Sequence, residues 1–346
     1  VTDTPSAPER FLSAYTTLRL GGPAGTVTTA VHTDEAVGAV QSAAAAGRRL
    51  LVLAGGSNVV IGDDGFDGEV LLLRTRGVEV VGEDASGVLV RVAAGEPWDD
   101  FVAYAVTSGL SGVECLSGIP GAAGSTPIQN VGAYGQEVAH TIAAVHAYDR
   151  QAGAIRVMTP EECGFGYRTS VFKHDDRYLV TAVDFRLSRS GESAPIRYAE
   201  LARSLGAEAG DRVPLRQARD TVLKLRAGKG MVLDPEDRDT WSVGSFFTNP
   251  VVPAGLLAGI GEAPHWPAGE GLVKLPAAWL IEHAGFPKGF AGDGVAISGK
   301  HTLALTNRGS GTTAALLDLA RTIRDGVRAR YGVELHPEPV LVGCEL

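Results

Sequence analysis

"SGIPGAAGSTPIQNVGAYGQE", residues 117–137, decides how the chain is read. From Cys115 to Gln136 no residue carries a charge, a length that could span a membrane. Its Gly, Pro, Gln and Asn make it a polar loop instead. A loop this long inside a compact domain is normally functional or disordered, and the interspersed Ile119, Pro120, Ile128, Val131 and Tyr134 favour order. Ser125, Thr126, Gln129 and Asn130 then supply uncharged donors and acceptors along an ordered surface.

Outward from that loop the chain alternates strands and helices. Upstream, "TVTTAV" (26–31) reads as a strand, "DEAVGAVQSAAAAG" (34–47) as a helix ending at Gly47, and "LLVLAGGSN" (50–58) as a buried strand entering a loop, a βαβ unit. "VLLLR" (70–74), "VEVVG" (78–82) and "VLVRVAAG" (88–95) follow as strands, then a helix over 97–109 that opens with Pro97. Downstream, 141–149, 154–159 and 178–188 alternate as strands of one sheet. A polar stretch around Gly191 and Gly206 leads to the helix "PLRQARDTVLKLRAG" (214–228). Beyond lie "SFFTNP" (245–250), a short helix over 276–285, the strand "HTLALTN" (301–307), and a long helix after Gly311. In that helix Leu316, Ala320, Ile323 and Val327 recur at helical spacing. The tail "VLVGCEL" (340–346) is expected to pair as a strand.

Composition narrows the class. The 346 residues suit two or three domains, with 45% hydrophobic and 21% charged residues, as in ordinary globular proteins. A net charge of -9 argues against a nucleic-acid binder, which needs a basic surface. Three scattered cysteines suit a reducing compartment, and the eight histidines form no metal-ligand pattern, so no metal is expected. The N-terminal stretch lacks the apolar core of a signal peptide and reads as a short frayed leader; the expected location is cytoplasmic, with no membrane partner.

Several short motifs carry possible chemistry. "GSGTTA" (309–314) fits a dinucleotide fingerprint, but too little chain follows for a Rossmann half, so it reads as a helix entry capped by Ser310 or Thr312. "AGGSNVVI" (54–61) offers backbone N–H groups to an anion. With the 117–137 loop it could clamp an extended ligand bearing a diphosphate and a flat polar ring. "GYRTSVFK" (166–173) supplies a phenol at Tyr167, a cation at Lys173, and at Arg168 a planar guanidinium able to grip a carboxylate through two parallel hydrogen bonds. "VGSFFTNP" (243–250) holds Ser245 with no neighbouring His or Asp, which suits proton donation better than nucleophilic attack. In "LHPEPV" (335–340), Glu338 stands between two prolines that stiffen its backbone.

Together "TTLRLGGPA", "LAGGSNVVI", "IPGAAGSTPIQNVGAYGQE", "CGFGYRTSVFKH", "GSFFTNP", "KLPAAWLIEHAG" and "HPEPVLVG" resemble the UDP-N-acetylenolpyruvoylglucosamine reductase family, in the family's order and over nearly the whole chain. The resemblance implies an α+β fold of three domains. Two, 1–76 and 77–214, form a vanillyl-alcohol-oxidase-like FAD-binding fold, the third, 215–334, binds substrate, and 335–346 returns to the first. It implies NADPH-dependent reduction of UDP-N-acetylglucosamine enolpyruvate to UDP-N-acetylmuramate, with NADPH and substrate alternating at one site of a monomer. FAD would be held by Gly55, Gly56, Ser57, Asn58 and Val59 and by Gly124, Ser125, Thr126, Ile128, Asn130 and Gly132. It would be held non-covalently, since the first loop reads "GGSN" without a tethering His or Cys. Arg168 and Glu338 match the positions flanking the enolpyruvyl carboxylate, and Ser245 the proton donor. Tyr167, Tyr198, Lys229 and Asn249 match substrate-contacting positions, Tyr198 marking the subtype with a substrate-covering tyrosine loop.

The chain departs from the family pattern twice. Thr248 stands where Lys is frequent, and the extended "DPEDRDTWSVG" (234–244) precedes Ser245. The implied chemistry suits the residue types. Hydride added to the β-carbon of the enol ether leaves negative charge on the α-carbon and its carboxylate. A guanidinium stabilises that charge, and a glutamate helps only when protonated or shared with the arginine. Two other readings share the fold: a nucleotide-sugar sensor without catalysis, and an oxygen-using flavin oxidase.

Overall fold

The computed structural model describes residues 10–346, so the leader reading of the first nine residues lies outside it. The chain divides into two compact units, one built mainly from Ala24–Gly55 and Asp67–Val232, the other from Phe11–Pro23, Gly56–Phe66 and Leu233–Leu346.

The first unit begins with the expected βαβ pattern. Strand Ala24–Ala30, helix Thr33–Ala45 and strand Leu50–Leu53 form, but strand Phe66–Leu73 lies between the other two, parallel to Leu50–Leu53. The three strands expected downstream of the 117–137 loop and the two expected at 78–82 and 88–95 meet in one antiparallel sheet, in the order Ala154–Met158, Ile142–Asp149, Tyr178–Arg189, Gly87–Ala93, Val78–Asp84. Alternation made them legible because one face is buried: Val88, Val90, Val92, Val183 and Phe185 are wholly inaccessible. Helix Trp98–Thr107 covers that face. Trp98, Phe101 and Phe185 meet with ring centroids 5.0–5.6 Å apart, and Trp98 Nε1 donates to Leu116 O at 3.0 Å. Phe101 and Phe185 each bury an area worth about 1.5–3 kcal/mol.

The segment read as polar around Gly191 and Gly206 contains a helix, Ala199–Leu205. Seven residues are too few to show periodicity; the helix rests on Leu201 and Ala202 buried against helix Leu215–Gly228, and Gly206 ends it at φ 66°.

In the second unit, helix Thr313–Tyr331 buries the expected stripe, with Leu316, Ala320, Ile323 and Val327 at zero exposure. It packs on strands Ala304–Asn307 and Val295–Ile297, with Ser242–Ser245 on the far side of Ala304–Asn307 in the same sheet. A small sheet of Val251–Pro253, Leu272–Lys274 and Trp266–Pro267 was not anticipated, because its strands are only two or three residues long. The tail strand Val340–Val342 pairs in parallel with Val59–Ile61. Among the described residues no helix is long and apolar enough to cross a membrane.

Candidate active site

The 117–137 loop is ordered by its own short turns. Two 3-10 turns, Glu114–Leu116 and Ala123–Ser125, lead to a hairpin pairing Gly132–Ala133 with Gln136–Glu137. Ile119, Ile128 and Val131 pack on the first unit's core. Thr126 and Asn130, expected at the cofactor, have their side chains engaged by other parts of the protein. Thr126 Oγ1 donates to Ala123 O at 2.7 Å. Asn130 Nδ2 donates to Glu137 Oε2 at 2.9 Å and Gly166 O at 3.1 Å, while its Oδ1 accepts from Ala139 N at 3.1 Å.

Those bonds bring "GYRTSVFK" onto the loop. Gly166 N donates to Thr169 O at 3.0 Å to close a tight turn, and Ser170 Oγ donates to Ile128 O at 2.7 Å. Arg168 Nη2 donates to Gly132 O at 2.8 Å and Nη1 to Asn130 O at 3.4 Å, which orients its planar group. Lys173, offered by the sequence as a point cation, donates from Nζ to Arg168 O at 3.0 Å and so braces the turn. Among the described residues only five non-glycines have positive φ, and Asn130 (46°), Tyr134 (48°) and Arg168 (54°) are three of them. Such backbone costs about 1–3 kcal/mol per residue and persists where surrounding contacts over-determine it. The segment therefore makes a protein turn and fixes a guanidinium at the same time.

Of the expected substrate contacts, Tyr167 is 39% exposed beside Arg168, whose guanidinium carbon lies 5.4 Å from its ring centroid. Tyr198 and Tyr134 meet edge-on at 5.4 Å, and Lys229 Nζ stands 5.5 Å from the Tyr134 centroid. A hub the sequence did not reveal supports them. Glu114, wholly buried, accepts from Gly112 N and Ala194 N at 2.6 Å each and from Gln136 Nε2 at 2.9 Å, tying the hairpin to the chain entering Tyr198. No local pattern marks a residue whose partners lie 22 and 80 positions away.

In the second unit, Ser245 ends strand Ser242–Ser245, whose register is broken between those two residues. Gly244, at φ 76°, makes the break, and a side chain there would be strained. Phe246 and Phe247 are buried to 0% and 1% exposure, so the backbone just after Ser245 is anchored. Glu338 N donates to Phe246 O at 2.8 Å and Thr248 N to His336 O at 3.1 Å, which lays the proline-stiffened segment alongside "SFFT". Two residues on, Val340 N donates to Asn58 O at 3.0 Å. Glu338 is thus held between the serine strand and the "GGSN" loop. Thr17, in "TTLRLGG", ties the same parts: its N donates to Gly56 O at 3.1 Å and its Oγ1 to Ser242 O at 2.7 Å. Asn249 Oδ1 accepts from Ala277 N at 2.9 Å at the start of helix Ala277–His283, leaving its amide N–H groups as its means of meeting a ligand.

The first glycine loop is packed tightly against protein backbone. Within the first unit Gly55 meets the 117–137 loop backbone to backbone: a Cβ on Gly55 would lie 2.4 Å from Gly121 Cα. Within the second, Gly56 at φ 59° would put a Cβ 1.9 Å from Tyr15 O. Replacing Gly55 by alanine is expected to reduce FAD carried through purification by more than half, read as the ratio of absorbance at the flavin and protein bands. Wild-type flavin content would remove that loop from the cofactor site. "GSGTTA" has another employment. Thr312 caps helix Thr313–Tyr331, accepting from Ala315 N at 3.1 Å, and the Asp63 carboxylate accepts from Thr313 N and Ala314 N at 2.8 Å each, where a dinucleotide phosphate would have to lie.

Two family models match. The FAD binding domain matches residues 24–159, and the UDP-N-acetylenolpyruvoylglucosamine reductase C-terminal domain matches residues 234–342. Both glycine loops lie in the first span and Ser245, Asn249 and Glu338 in the second, while Arg168, Tyr198 and Lys229 fall between them. UDP-N-acetylenolpyruvoylglucosamine reductase of Salinispora arenicola is 60% identical, covering 98% of this chain and 96% of its own length. That of Thermobifida fusca is 54% identical and covers 97% of each. Among solved structures, UDP-N-acetylenolpyruvylglucosamine reductase of Thermus caldophilus superposes with a TM-score of 0.63 at 26% identity, covering 96% of this chain and 97% of that one.

Proposed function

The chain belongs to the UDP-N-acetylenolpyruvoylglucosamine reductase family, and we propose that Arg168, Glu338 and Ser245 carry its chemistry. It reduces UDP-N-acetylglucosamine enolpyruvate for peptidoglycan synthesis, using FAD and consuming NADPH. Bound FAD supplies the hydride exchange between NADPH and the substrate's double bond. The residues present fit that cofactor, since the span that matches the FAD binding domain contains both glycine turns, whose backbone N–H groups suit a diphosphate. Holding it falls to Gly55, Gly56, Ser57, Asn58 and Val59 and to the loop from Gly124 to Gly132, without a covalent tether.

Arg168 grips the enolpyruvyl carboxylate with its planar fork, countering the charge that develops as hydride reaches the β-carbon. The observation that carries this role is the strained, doubly anchored placement of Arg168. Glu338, protonated or sharing a proton, lies on the same carboxylate. Ser245 Oγ gives its proton to the α-carbon; a hydroxyl is a weak acid, but an enolate-like carbon is basic enough to take it. Lys229 and Asn249 meet the nucleotide sugar, and Tyr167 and Tyr198 lie over it. Thr248 brings no cation to the diphosphate; its N–H and hydroxyl point to His336 O.

NADPH and substrate take turns at one site of a monomer. Domains 1–76, 77–214 and 215–334 carry flavin, flavin and substrate, the tail being paired with Val59–Ile61. A cytoplasmic location is supported by three free thiols, two of them buried. Burial pushes the Cys163 thiol up to about 12.

An anaerobic two-step titration tests the function. NADPH is expected to bleach the visible flavin band, and only UDP-N-acetylglucosamine enolpyruvate to restore it. Rapid recovery in air without that substrate would instead mark an oxidase. Bleaching with no recovery by either route would mark a sensor.

A further inference from the structure

We propose that Glu200 sets the affinity of the nucleotide-sugar site for its anionic ligand: its carboxylate occupies the Lys229 ammonium in place of a ligand's diphosphate, so that binding is an exchange of one anion for another. The inference rests on the reading of Lys229 as a substrate contact.

Lys229 Nζ lies 2.5 Å from Glu200 Oε2, and the two side chains are each 33% exposed. Four side chains close a ring. Lys229 stands over Tyr134, Tyr134 meets Tyr198 edge-on, Tyr198 precedes helix Ala199–Leu205, and Glu200 in the first turn of that helix returns to Lys229. Three chain segments meet there, and the ion pair is the one contact in the ring between full charges. The lysine side of the ring is fixed. Lys229 is the residue just past helix Leu215–Gly228, and Arg226 in the last turn donates from Nη2 to Met231 O at 2.8 Å, pinning the chain on either side of Lys229. The glutamate side sits on a helix of seven residues whose preceding segment carries Tyr198.

Charge makes the present occupant a weak one. Lys229, the half-buried Arg226, whose guanidinium acts on Tyr134 and Asp99, and Arg219, paired with Asp99 at 2.7 Å, bring three positive charges to the neighbourhood, and Glu200 and Asp99 return two negative. A nucleoside diphosphate carries more negative charge than a carboxylate and meets the excess better. A half-exposed ion pair is also cheap to break. A neutral nucleoside has nothing to exchange for Glu200, so the pair lowers affinity only for the charged ligand.

Calorimetric titration of the FAD-loaded protein with UDP, and with uridine as the neutral control, tests this. Glu200→Gln is expected to bind UDP about two- to five-fold more tightly, the size of a half-exposed ion pair, and uridine unchanged. Lys229→Gln is expected to weaken UDP, and in the double variant the gain from Glu200→Gln disappears. Glu200→Ala repeats the measurement should Glu200→Gln lose flavin. UDP affinity equal to or weaker than wild type in a flavin-replete Glu200 variant overturns the exchange, because the carboxylate would then be positioning Lys229 or doing nothing. If Lys229→Gln leaves UDP binding untouched, the substrate role of Lys229 falls and the exchange with it. If Lys229→Gln weakens UDP while Glu200→Gln does not strengthen it, the exchange alone falls.

Discussion

Ser245→Ala is expected to leave NADPH oxidation in the absence of the second substrate near its wild-type rate, and to slow consumption of UDP-N-acetylglucosamine enolpyruvate by about two to four orders of magnitude. That span corresponds to about 3–5 kcal/mol of barrier, the contribution of one positioned acid. The local structure makes the substitution a clean one. The bulge at Gly244 and the buried Phe246 and Phe247 hold the backbone on either side of the residue, so alanine removes the Oγ and little else. Nothing in that strand depends on the serine hydroxyl among the hydrogen bonds described; the one nearby belongs to Ser242, whose Oγ accepts from Gly244 N at 3.2 Å. Stopped-flow kinetics of the two half-reactions separate the possibilities. Equal losses in both would show that the variant disturbs the cofactor and would remove Ser245 from the proton-donor role.

The fold was legible where one physical signal dominated. Val88, Val90 and Val92 alternate because one face of their strand is buried, and Leu316 to Val327 recur at helical spacing because one helix face is. Helix Ala199–Leu205 and the turns inside residues 117–137 were not legible, since they are held by hydrogen bonds and packing to distant chain with no period of their own. The site was legible in a different way. Residue types suggested anion binding and proton donation, but only resemblance to a family assigned Arg168, Ser245 and Glu338 their roles. The supports of those residues stayed hidden for the same reason as the short helix: Thr17 reaches Ser242 across 225 positions and Glu114 reaches Ala194 across 80, and no local pattern encodes such pairs. "GSGTTA" shows the converse. Its local match to a phosphate-binding turn was good, yet the Asp63 carboxylate, brought from far upstream, already satisfies the helix start.

For Arg168→Lys, kcat/KM toward the enolpyruvyl substrate is expected to fall about 10²–10³-fold, the usual cost of losing one preorganised donor to a developing negative charge, while flavin content stays at the wild-type level. The charge survives in this variant, so a purely electrostatic role would predict a small effect. The geometry predicts a large one. Arg168 has its plane set by donating to Gly132 O and Asn130 O, and a carboxylate meeting that plane receives parallel hydrogen bonds that a point charge cannot reproduce. Lysine is no more strained than arginine at φ 54°, so the turn closed between Gly166 and Thr169 persists and misfolding does not confound the result. Arg168→Gly sharpens the distinction. Glycine adopts that backbone without strain, so the variant is expected to keep its fold and its flavin and to lose turnover further than Arg168→Lys. Near-normal kcat/KM in Arg168→Lys would reduce the residue to a source of positive charge. Near-normal activity in Arg168→Gly would mean that the strained backbone serves the turn alone and that the carboxylate is held by some other group.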